Sequence, residues 1–180
     1  MFNLFRKKEP SVKVTDKIVI AEEAKWKALF NYWNENKDTS LFIFWFDESL
    51  DHAEKYFATQ TTEMIPVMMA RQVSKAQLVG KIAVFAEHYP LRNKEDDTYD
   101  KLGLQKVLVF SSLKEALFQR FGGDRIIEMM QKLGMADDQL IEHAMISGAI
   151  RQAQEKIEKK VVVELTAHSQ SDWLEKNLKD

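Results

Sequence analysis

The run Leu41–Phe46, with the sequence LFIFWF, is the feature that most restricts how this chain can fold. All six side chains are apolar, so neither face of a strand formed here can lie in water. Strands buried on both faces are typical of the interior of a parallel sheet that is covered by helices on each side. A second run, Lys106–Phe110 (KVLVF), has nearly the same character. We therefore predict that both runs form interior parallel strands.

The segments around these two runs alternate between strand and helix patterns. Glu63–Met69 and Lys81–Glu87 are predicted strands, and Pro66 places the first of them near a sheet edge. Alternation of this kind predicts that residues 16–122 form one three-layer α/β domain with a parallel sheet. The almost wholly polar segment Arg92–Lys101 is predicted to be a solvated loop.

The last third of the chain shows mainly helix patterns, so residues 123–180 are predicted to form a small, mainly helical extension. Asp124 is the predicted N-cap of its first helix. A long helix is predicted from Asp137 or Asp138 to about Lys160, and a short last helix begins near Ser171. At the other end of the chain, residues 1–15 are predicted to be a flexible segment.

The composition favours a folded protein that does not bind nucleic acid. Hydrophobic residues make up 45% of the chain and aromatic residues 11%, which is enough for a proper core. The formal charge of −2 offers no basic surface for a nucleic acid. Cysteine is absent, which suits a reducing compartment, and no apolar run approaches the ~18 residues of a membrane-spanning helix. A cytoplasmic protein is therefore expected.

The first eight residues, Met1–Lys8 (MFNLFRKK), combine apolar side chains with three cations. We favour a frayed terminus, which is common at chain ends. The alternative is a weak peripheral contact with an anionic membrane surface, because apolar residues beside cations suit such a surface.

Motifs that bind phosphate groups are missing from the sequence. A Walker A loop needs the pattern G-x-x-x-x-G-K-[ST], and the one Gly-Lys pair, Gly80-Lys81, lacks the upstream glycine and the hydroxyl residue. Asp47 and Glu48 follow LFIFWF as in a Walker B motif, where the aspartate holds Mg²⁺, and they are the candidate cofactor-binding residues. We favour the simpler interpretation that Asp47 and Ser49 cap the following helix. No cofactor is therefore expected.

Metal-ligand spacings are missing as well. No H-E-x-x-H or comparable pattern includes any of the four histidines, so no metal site is expected, and surface or capping roles are favoured for His52, His88, His143 and His168. Six of the eight methionines lie between residues 64 and 69 or between 129 and 135. Core filling is the favoured interpretation of these methionines, and an adaptable peptide-binding surface is the alternative.

An apolar stripe at four-residue steps runs along the predicted long helix from Ile141 to Ile157. The opposite side, which includes Gln154, is predicted to face solvent, and Gly148 is expected to let the stripe pack closely on the α/β domain. The rest of the stripe needs cover from a partner protein or a second copy, because large exposed apolar patches are uncommon on monomers. The candidate interaction surface consists of Met145, Ala149, Ala153, Ile157 and Arg151.

Two segments in the C-terminal half carry a family resemblance. Ser111–Met135 (SSLKEALFQRFGGDRIIEMMQKLGM) and Ile141–Lys160 (IEHAMISGAIRQAQEKIEKK) resemble SecA, the ATPase motor of bacterial preprotein translocation. The first is similar to the end of that motor's second nucleotide-binding domain, and the second to the start of its long scaffold helix. A weaker similarity over Asp16–Trp33 and Leu41–Phe46 keeps the same order. The resemblance implies a RecA-like, helicase C-terminal-like domain joined to the start of a helical scaffold.

The chain departs from the family's pattern in the parts that would carry out catalysis. The first nucleotide-binding domain with its phosphate loop has no counterpart, and the G-R-x-G-R run that supplies an arginine finger is missing. We therefore predict no enzymatic activity. The expected function is that of a non-catalytic SecA-like protein, accessory to preprotein translocation, which contacts the translocation machinery, a client or a second copy. The alternatives are a nucleotide-binding regulatory domain or half-site completed in trans by another subunit, and an enzyme whose site carries no recognisable motif.

Overall fold

The computed structural model describes residues 12–178 of the chain. Its strands are β1 (Lys13–Val19), β2 (Ser40–Phe44), β3 (Val67–Met69), β4 (Ile82–Phe85) and β5 (Lys106–Ser112). Its α-helices are α1 (Glu22–Glu35), α2 (Asp47–Gln60), α3 (Arg92–Leu102), α4 (Ala116–Arg120), α5 (Gly123–Lys132), α6 (Ala144–Glu158) and α7 (Gln170–Asn177). A short 3₁₀ helix, Lys75–Leu78, precedes β4.

The strands form one parallel sheet in the order β1-β5-β4-β2-β3. β2 lies between β4 and β3, and β5 lies between β1 and β4, so the two predicted interior strands are confirmed. β3 is an edge strand and follows Pro66 directly, as its sequence predicts. A proline at this position removes no ladder hydrogen bond from the middle of the sheet.

Helices cover both faces of the sheet, which confirms the three-layer α/β fold. On one face, Phe42 and Phe44 pack among the apolar side chains of α1 and α2. On the other face, Leu41 and Ile43 pack with Tyr99 of α3. Alternate residues of β2 therefore serve two separate cores, which is why the whole run is apolar. Each fully buried large side chain of this kind stabilises the fold by about 1.5–3 kcal/mol.

The edge strand β1 is not predicted by the sequence pattern, because its first five residues are mostly polar. Its Lys13 lies beside Lys106 at the start of β5, and Val19 lies beside Ser112 at its end. Residues 13–15, part of the segment predicted to be flexible, therefore belong to the sheet. Residues 1–11 lie outside the described part of the chain, and with them the frayed terminus predicted for Met1–Lys8 and its alternative, a weak membrane contact.

The predicted loop at Arg92–Lys101 is wrong, because this segment forms helix α3. Its buried residues are Arg92, Glu95, Tyr99 and Leu102, which share one helix face. Two of these four carry a charge, so hydrophobicity alone does not indicate the buried face. Arg92 pairs with Glu95 and Asp96 on the same helix, whereas Glu95 also pairs with His88 at the end of β4, a contact that no local pattern reveals.

The helical extension begins and ends its helices at other residues than predicted. The N-cap of α5 is Gly122 in a left-handed conformation with φ of 89°, and Asp124 lies within the first turn of the helix. The predicted helix from Asp137 is wrong, because α6 starts only at Ala144. Backbone hydrogen bonds hold residue 141 in an extended conformation beside β1: Ile18 donates to the Ile141 carbonyl at 3.0 Å and accepts from its N–H at 2.8 Å. The last helix, α7, is confirmed with buried Trp173.

Candidate functional site

The place where a sheet of this kind binds a ligand is the carboxyl end of the strands, at the point where the connections change direction. In this sheet, β2 continues through α2 to β3 on one side, and β4 continues through α3 to β5 on the other. The crevice between the ends of β2 and β4 is therefore the first candidate site. Trp45, Phe46 and Asp47 enter it from β2, and Glu87 and His88 enter it from β4.

Asp47 and Glu48, the candidate cofactor-binding residues, lie at the rim of this crevice. The Asp47 carboxylate pairs with Arg71, with 2.6 Å between Oδ1 and Nη2, and this hydrogen bond holds the pKa of Asp47 below its usual value. The Glu48 side chain is exposed, and its backbone N–H donates to the His168 carbonyl. The predicted capping by Asp47 and Ser49 is wrong, because Phe46 is the N-cap and α2 has no side-chain cap.

The crevice itself is filled by Glu87, which belongs to none of the sequence motifs considered for this chain. Its Oε1 accepts hydrogen bonds from the backbone N–H groups of Trp45 and Phe46, both with N···O distances of 3.1 Å. The Ser49 hydroxyl donates to Oε2. Burial raises the pKa of Glu87 to about 7, although the nearby Lys25 ammonium opposes this shift. An internal carboxylate therefore takes the amide groups at the start of α2, which would otherwise suit a bound anion.

A buried ion pair, Lys25–Glu115, lies close to Glu87. The Lys25 ammonium of α1 donates to Glu115 Oε1 at 2.7 Å, and both side chains are almost fully buried. The same Glu115 oxygen accepts the Ser112 N–H at 3.0 Å, at the end of β5. This pair ties α1 to the loop after β5. Because both charges are paired, neither is available for a ligand without the loss of a buried ion pair, which is strongly destabilising.

His88 is buried, so its predicted surface or capping role is wrong. Its Nε2 lies 3.0 Å from Asp16 Oδ1, and its Nδ1 lies 2.9 Å from Glu95 Oε1. Burial alone opposes a charge on the ring, but the Glu95 and Asp16 carboxylates outweigh it and raise the pKa of His88 to about 10. The imidazolium therefore ties β1, the end of β4 and α3 together. Both ring nitrogens are engaged, so His88 is not available as a base.

The extension covers this end of the sheet. The Gln170 side chain at the start of α7 donates to the His88 carbonyl at 3.0 Å and accepts the Leu117 N–H at 2.6 Å. Trp173 is fully buried in a cluster that includes Phe46, and its Nε1 donates to Glu164 at 3.0 Å. Gln154 of α6, predicted to face solvent, is buried and donates to the Tyr89 carbonyl at 2.7 Å. The chain's own residues thus occupy the usual ligand position.

The predicted interaction stripe of α6 is split between two surroundings. Met145 is 77% exposed and Ala149 is exposed, whereas Ala153 and Ile157 are buried and Arg151 is half-buried. Each four-residue step on a helix turns by about 40°, because 3.6 residues make one turn. Three steps separate Met145 from Ile157, so these side chains point about 120° apart. The expected close packing at Gly148 is also wrong, because no atom of another element lies within 4 Å of where its Cβ would be.

An open groove of about 320 Å³ lies between α5 and α6, with α4 at its base. We call it the α5–α6 groove. It is lined by Leu117, Phe118, Phe121, Ile126, Met129, Met130, Met145, Ile146, Ala149, Ile150, Gln152, Ala153 and Lys156. Of these described residues, Lys156 is the one that carries a charge. Met129 is 55% exposed at the groove's edge, so the methionines here are partly surface residues as well as core residues.

Comparison with known proteins identifies relatives for more than half of the chain. The protein translocase subunit SecA of Psychrobacter cryohalolentis is 43% identical over 108 residues, which are 56% of this chain and 12% of that relative. The chain is similar to SecA. The SecA of Rubrobacter xylanophilus is 28% identical over 109 residues, or 58% of this chain. SecA 1 of Alkaliphilus metalliredigens is 43% identical over 49 residues, or 27% of this chain. No protein-family model matches the chain.

The similarity to SecA confirms the resemblance seen in the sequence. The chain spans only about 12% or less of the length of the SecA proteins named here, so it corresponds to a part of them. The division into residues 16–122 and 123–180 stays a prediction. Within residues 12–178, no helix is long and apolar enough to cross a membrane, and no group of three or more His, Asp or Glu side chains is arranged to hold a metal ion.

Proposed function

We propose that these 180 residues act as a non-catalytic SecA-like protein, through contacts with other proteins, and are accessory to preprotein translocation. The link to translocation rests on the relatives, which are named protein translocase subunits. The mode of action rests on one observation above all. The crevice at the carboxyl ends of the strands is filled by Glu87 and covered by α7, while the apolar α5–α6 groove is open.

The filling of the crevice argues against nucleotide hydrolysis for a physical reason. A phosphate group at the start of α2 would need the N–H groups of Trp45 and Phe46, which already donate to Glu87. It would also place a second negative charge beside a buried carboxylate, and like charges at such short distances are strongly unfavourable. The Walker A loop and arginine finger that would offset this cost are not found in the sequence.

A second candidate function is a regulatory nucleotide site, or a half-site completed in trans by another subunit. The observation that favours it is the position of Asp47 and Arg71 at the rim of the crevice. Both side chains are partly exposed, and Arg71 would meet a phosphate if the ion pair opened. This function needs only binding, so it does not require the missing catalytic groups.

The first experiment separates these two functions. We expect the purified protein to hydrolyse no ATP above background and to give no binding heat with ATP and Mg²⁺ in titration calorimetry. A micromolar dissociation constant that Asp47→Ala weakens would favour the regulatory site instead. Glu54→Ala is the matched control, because the Glu54 side chain is exposed on the same helix but lies away from the first turn of α2.

The second experiment tests the proposed partners. A photo-crosslinking amino acid at Met145, in the groove, is compared with the same amino acid at Met64, which is 93% exposed outside it. In cells of the protein's own organism, position 145 should crosslink to components of the translocation machinery or to exported preproteins, and position 64 should not. Equal crosslinking at both positions, or products unrelated to translocation, would contradict the proposal.

A further inference from the structure

The α5–α6 groove has two apolar walls that face each other. On α5, Ile126, Met129 and Met130 follow the three- and four-residue spacing of one helix face. On α6, Met145 and Ala149 form the opposite wall. Methionine side chains are flexible and adapt to varied apolar partners. The groove therefore offers a deformable apolar surface rather than a rigid pocket for one small molecule.

The dimensions of the groove suit a helix. From Met145 to Lys156 the wall formed by α6 spans 12 residues, and its 11 steps of 1.5 Å each give a length of about 16 Å. This length matches about three turns of a second helix laid along it. An amphipathic helix bound in a groove presents apolar residues at i, i+3, i+4 and i+7, and three turns contain such a set.

Cations lie at one end of the groove. Lys156, Lys159 and Lys160 are exposed at the end of α6, and no acidic side chain of the described residues pairs with any of them. A shallow depression next to the groove is lined, among residues 12–178, by Arg120, Phe121, Lys156, Ile157, Lys159, Lys160 and Leu178, and none of these is acidic. An apolar groove that ends in positive charge is complementary to an apolar segment that ends in negative charge.

We propose that the α5–α6 groove binds one amphipathic helix of another protein, with its apolar face between α5 and α6 and acidic residues against the three lysines. The proposal rests on the proposed function, because it assumes action through protein contact. It adds the kind of partner: an acidic amphipathic helix. The three lysines fix the end at which the acidic residues lie.

The charge of the lysines disfavours the chain's own first residues as the occupant. Arg6, Lys7 and Lys8 follow the apolar residues of that segment, so its cations would meet the lysines. A membrane surface is also less suitable, because interfacial helices present a convex apolar face, whereas these residues line a groove between two helices. The experiment includes both of these occupants, and a second copy of the chain, as outcomes.

The probe is a pair of designed helical peptides with one shared apolar face of leucines. One peptide carries three glutamates at one end, and the other carries three lysines at the same positions. Binding to the full-length protein is measured by fluorescence anisotropy. We expect the acidic peptide to bind more tightly, and added salt to reduce the difference, because ion pairs at an exposed rim are screened.

Two sets of variants locate the binding. Met145→Glu and Ala149→Glu place a charge on the exposed wall of the groove, and each should weaken binding of the acidic peptide at least about tenfold. Met64→Glu is the matched control and should have no effect on binding.

The triple variant Lys156→Gln, Lys159→Gln and Lys160→Gln should weaken binding of the acidic peptide about tenfold, because three exposed ion pairs are lost. Its control replaces three exposed lysines elsewhere: Lys55, Lys81 and Lys106.

Several outcomes would overturn the proposal. Equal binding of the two peptides, or no effect of Met145→Glu and Ala149→Glu, would show that the groove does not select an acidic helix. Binding to phosphatidylglycerol vesicles that these variants abolish, without peptide binding, would identify a membrane site. Tighter peptide binding after deletion of residues 1–11 would identify that segment as the occupant, and a dimer lost on Met145→Glu would identify a second copy. None of these outcomes affects the ATP measurements. Crosslinking from Met145 to translocation components without selective binding of the acidic peptide would leave the proposed function standing while the groove proposal fails.

Discussion

Replacement of Trp173 by alanine tests whether α7 closes the carboxyl end of the sheet. The side chain is fully buried, its ring meets that of Tyr89 with 5.9 Å between centroids, and its Nε1 donates to Glu164. Loss of a buried tryptophan costs about 3–5 kcal/mol, because the transfer free energy is lost and a cavity remains. That is a large fraction of the roughly 5–15 kcal/mol by which domains are stable.

The assay is urea unfolding followed by tryptophan fluorescence and circular dichroism. With an m-value of about 2 kcal/mol/M, a loss of about 3–5 kcal/mol lowers the unfolding midpoint by roughly 1.5–2.5 M. The control is Val162→Ala, because the Val162 side chain is 95% exposed. A surface substitution of this kind should change the free energy of unfolding by less than about 0.5 kcal/mol.

Local opening of α7 is the one process that would reduce the effect. If α7 detaches before the sheet unfolds, Trp173→Ala costs no more than the free energy of that opening. Hydrogen exchange then shows lost protection at the amides of α7 and unchanged protection in β5. An unchanged midpoint together with equally fast exchange of the α7 amides in both proteins would refute the docking of α7 on the sheet.

Three further predictions follow from the buried charges and the groove. The pKa of Glu87 is raised to about 7, so the stability that its side chain contributes is present below pH 4.5 and lost as the pH rises through 7. In urea unfolding, Glu87→Gln should therefore gain stability relative to wild type across this pH range. A stability difference that does not change with pH would contradict this prediction. The pKa of His88 is raised to about 10, so the stability advantage of wild type over His88→Asn should be largest below pH 6.5 and shrink towards pH 10. A stability advantage that does not change with pH in urea unfolding would contradict this prediction. Ala149→Glu should shift the melting temperature by no more than about 1–2 °C, because the side chain is exposed, and a larger loss would mean that this face is packed.

The parts of the fold that the sequence predicts are those in which burial requires apolar residues. Residues 41–44 of β2 and 107–110 of β5 are all apolar because helices cover both faces of these interior strands, and this pattern predicts their position in the sheet. β1 was missed because an edge strand needs few apolar residues. The start of α6 was misplaced because hydrogen bonds between Ile18 and Ile141, residues 123 positions apart, hold the preceding segment extended. Local patterns do not contain such long-range pairings.

The site was predicted less well, because its side chains are polar and paired across elements. Asp47 and Glu48 were found through a motif, yet the residue that fills the crevice is Glu87. One signal for Glu87 was present: a carboxylate that directly follows the apolar run of a buried strand must lie at the carboxyl end of the sheet. His88 and α3 carried no such signal. The buried His88 contacts Glu95 of α3 and Asp16 of β1, and Asp16 is 72 positions away from His88 in the sequence.

Helix α6 contributes side chains both to the closed carboxyl end of the sheet and to the α5–α6 groove, and its geometry keeps these two surfaces separate. Ile157 and Gln154 face the closed end of the sheet, and Met145 and Ala149 face the open groove. Because these two pairs lie on different faces and at different ends of one helix, a charge placed at Met145 contacts none of the residues that hold α7. Changes at sites without shared partners are usually additive. A loss of peptide binding in a groove variant therefore reports on the groove, and a loss of stability in Trp173→Ala reports on the closed end of the sheet.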